Sequence, residues 1–221
     1  MFLIFSCQNK ETIITRQTIK AFLRGLRIQK LKIETMEEVE IGDQIWMTRN
    51  LNVDKFCNGD PIPEAKTDEE WKKAEKDREP AWCYNENDPG NGEKYGKLYN
   101  WYAVNDHRGL APEGWYIPRE NEWMTLVDHL GGEDEAGEKM KSTSGWVDEG
   151  NGTNESGFLG LPGGARYFLS FEETGGIAYW WSSEEEASHS AWCFCISSGS
   201  GDICSYNFDK YQGLSVRCLK E

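Results

Sequence analysis

The stretch Cys193-Phe-Cys-Ile-Ser-Ser-Gly-Ser-Gly-Asp-Ile-Cys-Ser-Tyr-Asn-Phe-Asp209 gathers side chains that could do chemistry. Cys193, Cys195 and Cys204 all fall within it. Alternate residues of a strand share a face, so Cys193 and Cys195 point the same way and Cys204 can lie across a hairpin. In an oxidising compartment these thiols can form a disulfide. A redox pair is the catalytic alternative. It lacks a CxxC or CxxxxC spacing, and no basic residue sits nearby in sequence to lower a thiol pKa. The histidines, His107, His129 and His189, stand at no standard spacing from another metal ligand. We therefore assign no catalytic residue, no metal and no cofactor. Asp88-Pro89 lies in an acidic, Asn-rich loop; a plain loop is the stronger reading there and a calcium site the weaker alternative.

Composition narrows the function classes. The chain has 221 residues, 24 Lys and Arg against 38 Asp and Glu, and a formal net charge of -14. Nucleic-acid binding needs a basic footprint, so a nucleic-acid partner is excluded, as is an anionic membrane surface contacted through the folded domain. No apolar run is long enough to span a bilayer. GxxxxGK[ST], HExxH and paired CxxC motifs are absent. Hydrophobic residues make up only 38%, but ten are tryptophan, and large aromatic rings can fill a core that few aliphatic residues supply. Abundant glycine points to a loop-rich fold with short strands.

The chain opens Met1-Phe2-Leu3-Ile4-Phe5-Ser6-Cys7, an apolar run ending in a small residue and Cys. This is how a bacterial lipoprotein signal ends, so Cys7 is the expected lipidation site and a lipid anchor the expected membrane contact. The run is shorter than a full signal, which places the expected true start upstream. Residues 8–38 read as a basic tether or helix, with Arg16, Lys20, Arg24 and Arg27 beside Ile14, Thr18, Phe22 and Leu26 at near-helical spacing.

From residue 39 to 221 the texture is that of one domain. Val39, Ile41, Ile45 and Met47 around Gly42-Asp43-Gln44 predict a hairpin. Thr67-Asp68-Glu69-Glu70 is a capping box, predicting a short helix through Trp71 that Pro80 stops. Residues 85–92 read as loop, and Leu98 to Tyr102 as a helical turn or two. After Pro118, Trp123, Leu126, Val127 and Leu130 form a helical stripe that Gly131-Gly132 ends, with a second short helix from Glu133 to Lys141. Strands are expected at 165–171, 177–183, 191–196, 203–208 and 214–219. Helices followed by a run of strands predict an α+β domain with a small, mostly antiparallel sheet. Trp180 and Trp181 should send one ring to each face of their strand, and Arg166 and Arg217 should partner buried carboxylates or carbonyls.

An ordered set of motifs then becomes legible. It runs Ile41-Gly42-Asp43-Gln44-Ile45-Trp46-Met47, Tyr95-Gly96-Lys97-Leu98-Tyr99-Asn100-Trp101, Pro112-Glu113-Gly114-Trp115, Leu161-Pro162-Gly163-Gly164-Ala165-Arg166, Tyr179-Trp180-Trp181-Ser182-Ser183 and Ser215-Val216-Arg217-Cys218. Over roughly residues 39–220 this closely resembles the Fibrobacter succinogenes major paralogous (FISUMP) domain. The resemblance implies a secreted or surface-attached bacterial protein, often a lipoprotein, with a C-type-lectin-like fold and no general catalytic activity. That fold also contains the formylglycine-generating enzymes, which makes a thiol oxidase the enzymatic alternative. The lectin-type calcium signals Glu-Pro-Asn and Trp-Asn-Asp are absent. Many members carry Cys where this chain has Ala111, so Cys218 lacks that partner, and Cys83 becomes a candidate for it.

Residues 193–209 contain no Lys, Glu, Gln, Met or Trp. Every residue type present can be generated by mutating the two adenines of an Asn codon. This resembles the variable region of diversity-generating retroelement targets. The resulting expectation is a surface-exposed envelope lipoprotein, or a secreted protein, that recognises an extracellular protein or glycan without catalysis. The predicted contact residues are His189, Cys193, Cys195, Ser197, Gly199, Gly201, Asp202, Cys204, Tyr206, Phe208 and Tyr211, with Ile196 and Ile203 as inward anchors. Tyr and Phe would supply rigid contact area, and Ser, Gly and Asp adaptable polar groups. A structural surface protein without a ligand site is the alternative.

Overall fold

Tandem tryptophans on one strand need two cores, and the fold supplies both. The computed structural model describes residues 37–221; the lipidation call at Cys7 and nearly all of the 8–38 segment lie outside the described residues. The strand in question, β8 (Ile177–Glu185), sits in a five-stranded sheet of order β10-β9-β8-β6-β7. Its neighbours are β9 (Ser190–Ser197), β10 (Ile203–Asp209), β6 (Gly163–Arg166) and β7 (Phe171–Thr174). All pairs are antiparallel except β6–β8. Trp180 and Phe194 face one side with Ala178 and Ile196, while Trp181 and Cys193 face the other with Tyr179 and Cys195.

The first side is closed by helices and a second sheet. Helix α4 (Glu120–His129) places Trp123, Leu126 and Val127 against it, and α5 (Glu133–Met140) adds Ala136 and Met140. Glu122 accepts from the Arg119 backbone N–H at 2.7 Å and completes the N-terminal turn of α4. Trp123 stacks on Phe194 with centroids 5.0 Å apart and touches Trp46 at 4.9 Å. Trp46 belongs to β2 (Gln44–Met47), which pairs with β1 (Glu38–Ile41) in the expected hairpin. These two strands continue into β11 (Leu219–Lys220) and β5 (Trp115–Tyr116) as a four-stranded sheet. The second side packs on Leu51, Phe56, Trp101, Leu110, Leu214 and Val216, all buried.

A third, smaller cluster fixes the remaining elements. Helix α1 (Asp68–Asp77) starts at the predicted capping box: the Thr67 side chain accepts from the Glu70 N–H, and the Glu70 carboxylate accepts from the Thr67 N–H. Its Trp71 and Ala74 pack on Cys83 of β3 (Trp82–Cys83) and Leu98 of β4 (Leu98–Tyr99). Residues 85–92 are not the plain loop expected. A 3₁₀ turn at Asn85–Asn87 leads into α2 (Pro89–Tyr95), where the Asp88 carboxylate accepts from Gly90 N–H at 2.8 Å. Asp-Pro is here an N-cap followed by a first helical residue, so Asp88 has a capping role. The helical turn expected from Leu98 to Tyr102 starts later: Leu98–Tyr99 pairs with β3 as a strand, and helix α3 (Trp101–Val104) follows it.

The α+β class and the mainly antiparallel pairing are as expected, with two corrections. The strand expected at 165–171 is two strands, β6 and β7, joined through a turn in which the Tyr167 N–H bonds the Ser170 carbonyl at 2.8 Å. The strand expected at 214–219 is mostly irregular. Leu214 bridges Tyr99 and Ser215 bridges Trp180, and only Leu219–Lys220 forms a strand. The apolar residues there serve the interior without a regular ladder.

Arg217 threads this packing together. Its guanidinium is buried and donates to the Asn50 Oδ1 from Nη2 at 2.8 Å, and to the Met47 and Phe158 carbonyls from Nη1 at 2.9 and 2.6 Å. Asn50 Oδ1 also accepts from Trp180 Nε1 at 2.9 Å. Arg166 instead pairs with Asp68 at 2.9 Å; that carboxylate is 47% exposed, so the expectation of buried partners holds for Arg217 and not for Arg166. Asn50→Ala removes a shared acceptor from a buried cation, which costs more than about 3 kcal/mol. Asn50→Asp keeps an acceptor beside the guanidinium and costs less. Urea unfolding of both variants checks the order.

Candidate functional site

The sequence stretch singled out for its chemistry forms the β9–β10 hairpin. Its register runs from Ile203 opposite Ile196 to Asp209 opposite Ser190. Ile196 and Ile203 are both buried under α5, so the inward anchors are as expected. Cys195 and Cys204 are opposite one another and form a disulfide, Cα atoms 5.1 Å apart. Beyond it the turn at 198–202 is held from behind. Glu138 N–H of α5 donates to the Gly201 carbonyl at 2.9 Å, and Lys141 Nζ to the Ser200 carbonyl at 2.9 Å. Gly137 allows this approach: a Cβ there would lie 2.5 Å from the Gly201 and Asp202 carbonyl oxygens and from Ile196. A Cβ on Gly150 would collide with Ser198.

On the opposite face of the hairpin lies a cavity of about 480 Å³. Tyr179 and the disulfide line its base, Tyr206 and Phe208 its wall, and Ser197, Ser200 and Asp202 its polar rim. The Tyr206 and Phe208 rings are nearly parallel, 14° apart with centroids at 6.5 Å, as expected of alternate residues on one strand. Phe208 is backed by Tyr179 at 5.3 Å and Tyr167 at 6.1 Å. Tyr206 remains 54% exposed. Burial raises the pKa of Tyr179 and Tyr167, so both hydroxyls stay protonated at neutral pH and can donate as well as accept. Asp202 is the one charged side chain among the cavity's lining residues. The arrangement can stack a ligand on aromatic rings and hydrogen-bond it at a rim of two serines and one carboxylate.

The predicted contact residues divide accordingly. Cys195, Ser197, Asp202, Cys204, Tyr206 and Phe208 come together at the cavity. Cys193 is a correction: it is fully buried, and Cys195, although it lines the cavity, is buried as well. The reason is that β9 is an interior strand whose two faces both enter a core, so outward phase on β9 does not mean exposure. Burial pushes the Cys193 thiol up to about 12, which leaves it a poor nucleophile. Gly199 is exposed in the turn and Gly201 is its α5 anchor. His189 sits at the other end of the ladder, beside Asn207 and Asp209 in a separate depression. Tyr211 packs edge-on to Phe168, 5.7 Å away, outside the cavity.

The candidate Cys83–Cys218 bridge is not formed. Both thiols are free and buried, in different apolar clusters, and burial pushes each to about 12. Tyr167, Tyr179 and Ser200 escaped sequence reasoning. Tyr179 had a signal in its alternation with Trp181, whereas Tyr167 comes from a different strand pair and had none. A second cavity, of about 730 Å³, lies under Val53, Phe56, Leu110 and Trp115. There the exposed Cys57 Sγ donates to the Ala111 carbonyl at 2.7 Å.

The disulfide closes a short loop, with a sequence separation of 9, and so stabilises the hairpin by about 2–3 kcal/mol in the chain-entropy account. Reduction should lower the thermal midpoint and speed amide exchange in residues 196–204 while leaving α4 protected. Gly137→Ala should push the turn off α5 and accelerate exchange in the same residues with the disulfide intact. Exchange mass spectrometry reads both.

No curated protein and no solved structure is significantly similar to the chain. The model of the Fibrobacter succinogenes major domain matches residues 39–220, from the first strand of the hairpin at the start of the fold to the last strand beside it. The motifs it spans include Asn50, Trp180 and Arg217, whose side chains meet in the interior. The chain belongs to the Fibrobacter succinogenes major domain family.

Proposed function

We propose that this protein is a bacterial envelope lipoprotein, anchored through Cys7, whose C-type-lectin-like domain recognises an extracellular protein or glycan without catalysing a reaction. The observation that carries the reading is Tyr206: a large aromatic ring left 54% exposed beside Phe208, on a hairpin stapled by a disulfide and pinned to a helix. A rigid aromatic loses little conformational entropy on binding, so a ring held out in this way is suited to contact. The thiol oxidase alternative is disfavoured by the hairpin cysteines. Cys195 and Cys204 are joined, and Cys193 is buried with its pKa raised to about 12.

Diversification fits this geometry on the β10 half of the stretch and not on β9, where Cys193, Phe194, Cys195 and Ile196 are buried. β10 is an edge strand, and Ser205, Tyr206 and Asn207 are exposed in succession on it, so replacing them disturbs no core contact. Membrane contact is through the lipid alone in this reading, and nucleic acid is not a partner.

The test uses the full chain on arrays of glycans and of bacterial surface proteins. Wild type should retain a ligand that the Tyr206→Ala/Phe208→Ala variant binds at least about tenfold more weakly, with an unchanged far-UV spectrum. Equal binding by both would move recognition elsewhere on the domain. No ligand on either array would leave a structural surface protein.

A further inference from the structure

We infer that the cavity beside Tyr206 and Phe208 takes a neutral saccharide, one sugar ring stacked on Tyr206 and its hydroxyls bonded to Asp202 and the rim serines. This inference rests on the recognition reading above and names the ligand class. Three features of the cavity select the class together. The first is the aromatic wall. The Tyr206 face is open to solvent, and Phe208, backed by Tyr167 and Tyr179, holds the neighbouring position rigid. The C–H-bearing face of a pyranose is weakly positive and apolar, and it matches the negative face of an aromatic ring. The second is the rim, where Ser197, Ser200 and Asp202 place short hydrogen-bonding side chains around an apolar base. Few convergent polar groups on an apolar floor fix the orientation of a small polar ligand.

The third feature is charge. Among the described residues no Lys, Arg or His lines the cavity, and its one charged residue is Asp202. The nearest cation behind the turn, Lys141, is buried and spent on Glu138 at 3.2 Å and the Ser200 carbonyl. Sulfated, phosphorylated or uronate ligands would meet a carboxylate with nothing to offset it. A stacking site of this kind also has no need of a divalent ion. A single carboxylate beside a disulfide is too few oxygen ligands for calcium.

Affinity electrophoresis of the full chain in gels containing a β-glucan, a mannan, a galactan, a sulfated galactan or a polyuronate tests the inference. At least one neutral polymer should retard wild type, and retardation should fall at least about tenfold in Tyr206→Ala. Tyr206→Trp should keep or strengthen it, because stacking area is retained without the hydroxyl. EDTA and about 0.5 M NaCl should leave it unchanged. Mobility in a polymer-free gel and the thermal midpoint show whether each variant is folded. Retardation only by sulfated or uronate polymers, or its loss in EDTA, would overturn the inference. So would equal retardation of Tyr206→Ala. If no polysaccharide retards the protein while a surface protein binds in a Tyr206-dependent way, the saccharide assignment falls and the recognition reading stands. If neither binds, both fall.

Discussion

A buried guanidinium with no carboxylate beside it among the described residues is the constraint from which most of this fold follows. Arg217 is surrounded by oxygen acceptors from two separate parts of the chain: Met47 and Asn50 in one, Phe158 and Leu159 in the other. Its planar face lies over the Phe158 ring, 4.3 Å from the centroid. Burial lowers its pKa to about 9, which still leaves the cation at neutral pH. A desolvated charge of this kind is tolerable only while its donors are matched, so every segment that brings an acceptor is fixed in place. Asn50 spreads the constraint further. Its amide nitrogen donates to the Tyr95 carbonyl at 2.8 Å and to Ser215 Oγ at 3.1 Å, and its oxygen takes the Trp180 indole. The end of α2, the C-terminal segment and the central strand of the large sheet are thereby tied to one side chain.

Trp180 carries that order to the hairpin. It is held at its indole nitrogen on one side of β8, and Trp181 on the other side donates to the Tyr99 carbonyl at 2.8 Å. With both rings fixed, β8 has no freedom to slip by a residue, since a slip would exchange the two faces. β9 inherits its register from β8, and β10 from β9. The position of Tyr206 at the surface is therefore set by interactions on the far side of the sheet. The disulfide and the α5 anchors act locally on a strand pair whose register is already determined.

The sequence made legible those features in which a residue's type decides its place. Thr67 and Glu70 announce a helix start because only such side chains satisfy its open N–H groups. Tandem tryptophans announce a strand with two buried faces. Asp88-Pro89 misled because Pro, Gly and Asn are turn formers in composition but, behind a capping Asp, they begin α2. The site was half legible for a similar reason. Alternation placed Tyr206 and Phe208 on one face with Cys204, but alternation says nothing about what covers that face. Cys193 shares the phase and is buried, because its strand is interior and theirs is the edge. Tyr167 and Tyr179 enter the cavity's surroundings through tertiary packing, which no local pattern encodes.

The same distinction explains why a change on β10 can be cheap while one on β9 cannot. Phe194 and Ile196 stand in a core with Trp123 and Trp180, so altering their volume leaves a void or a clash. On β10 only Ile203 enters that core, and Ser205, Tyr206 and Asn207 are exposed. Their backbones still pair with β9, so the strand persists whatever side chains it carries, provided they tolerate extended geometry. One end of β10 is secured by the disulfide at Cys204. The other is secured by Lys210, whose buried ammonium meets Glu185 and the Ser188 carbonyl and whose N–H bonds the His189 carbonyl at 2.9 Å. Between two fixed ends, three consecutive exposed residues can vary without cost to the core, and the chemistry displayed there is separated from the stability of the domain.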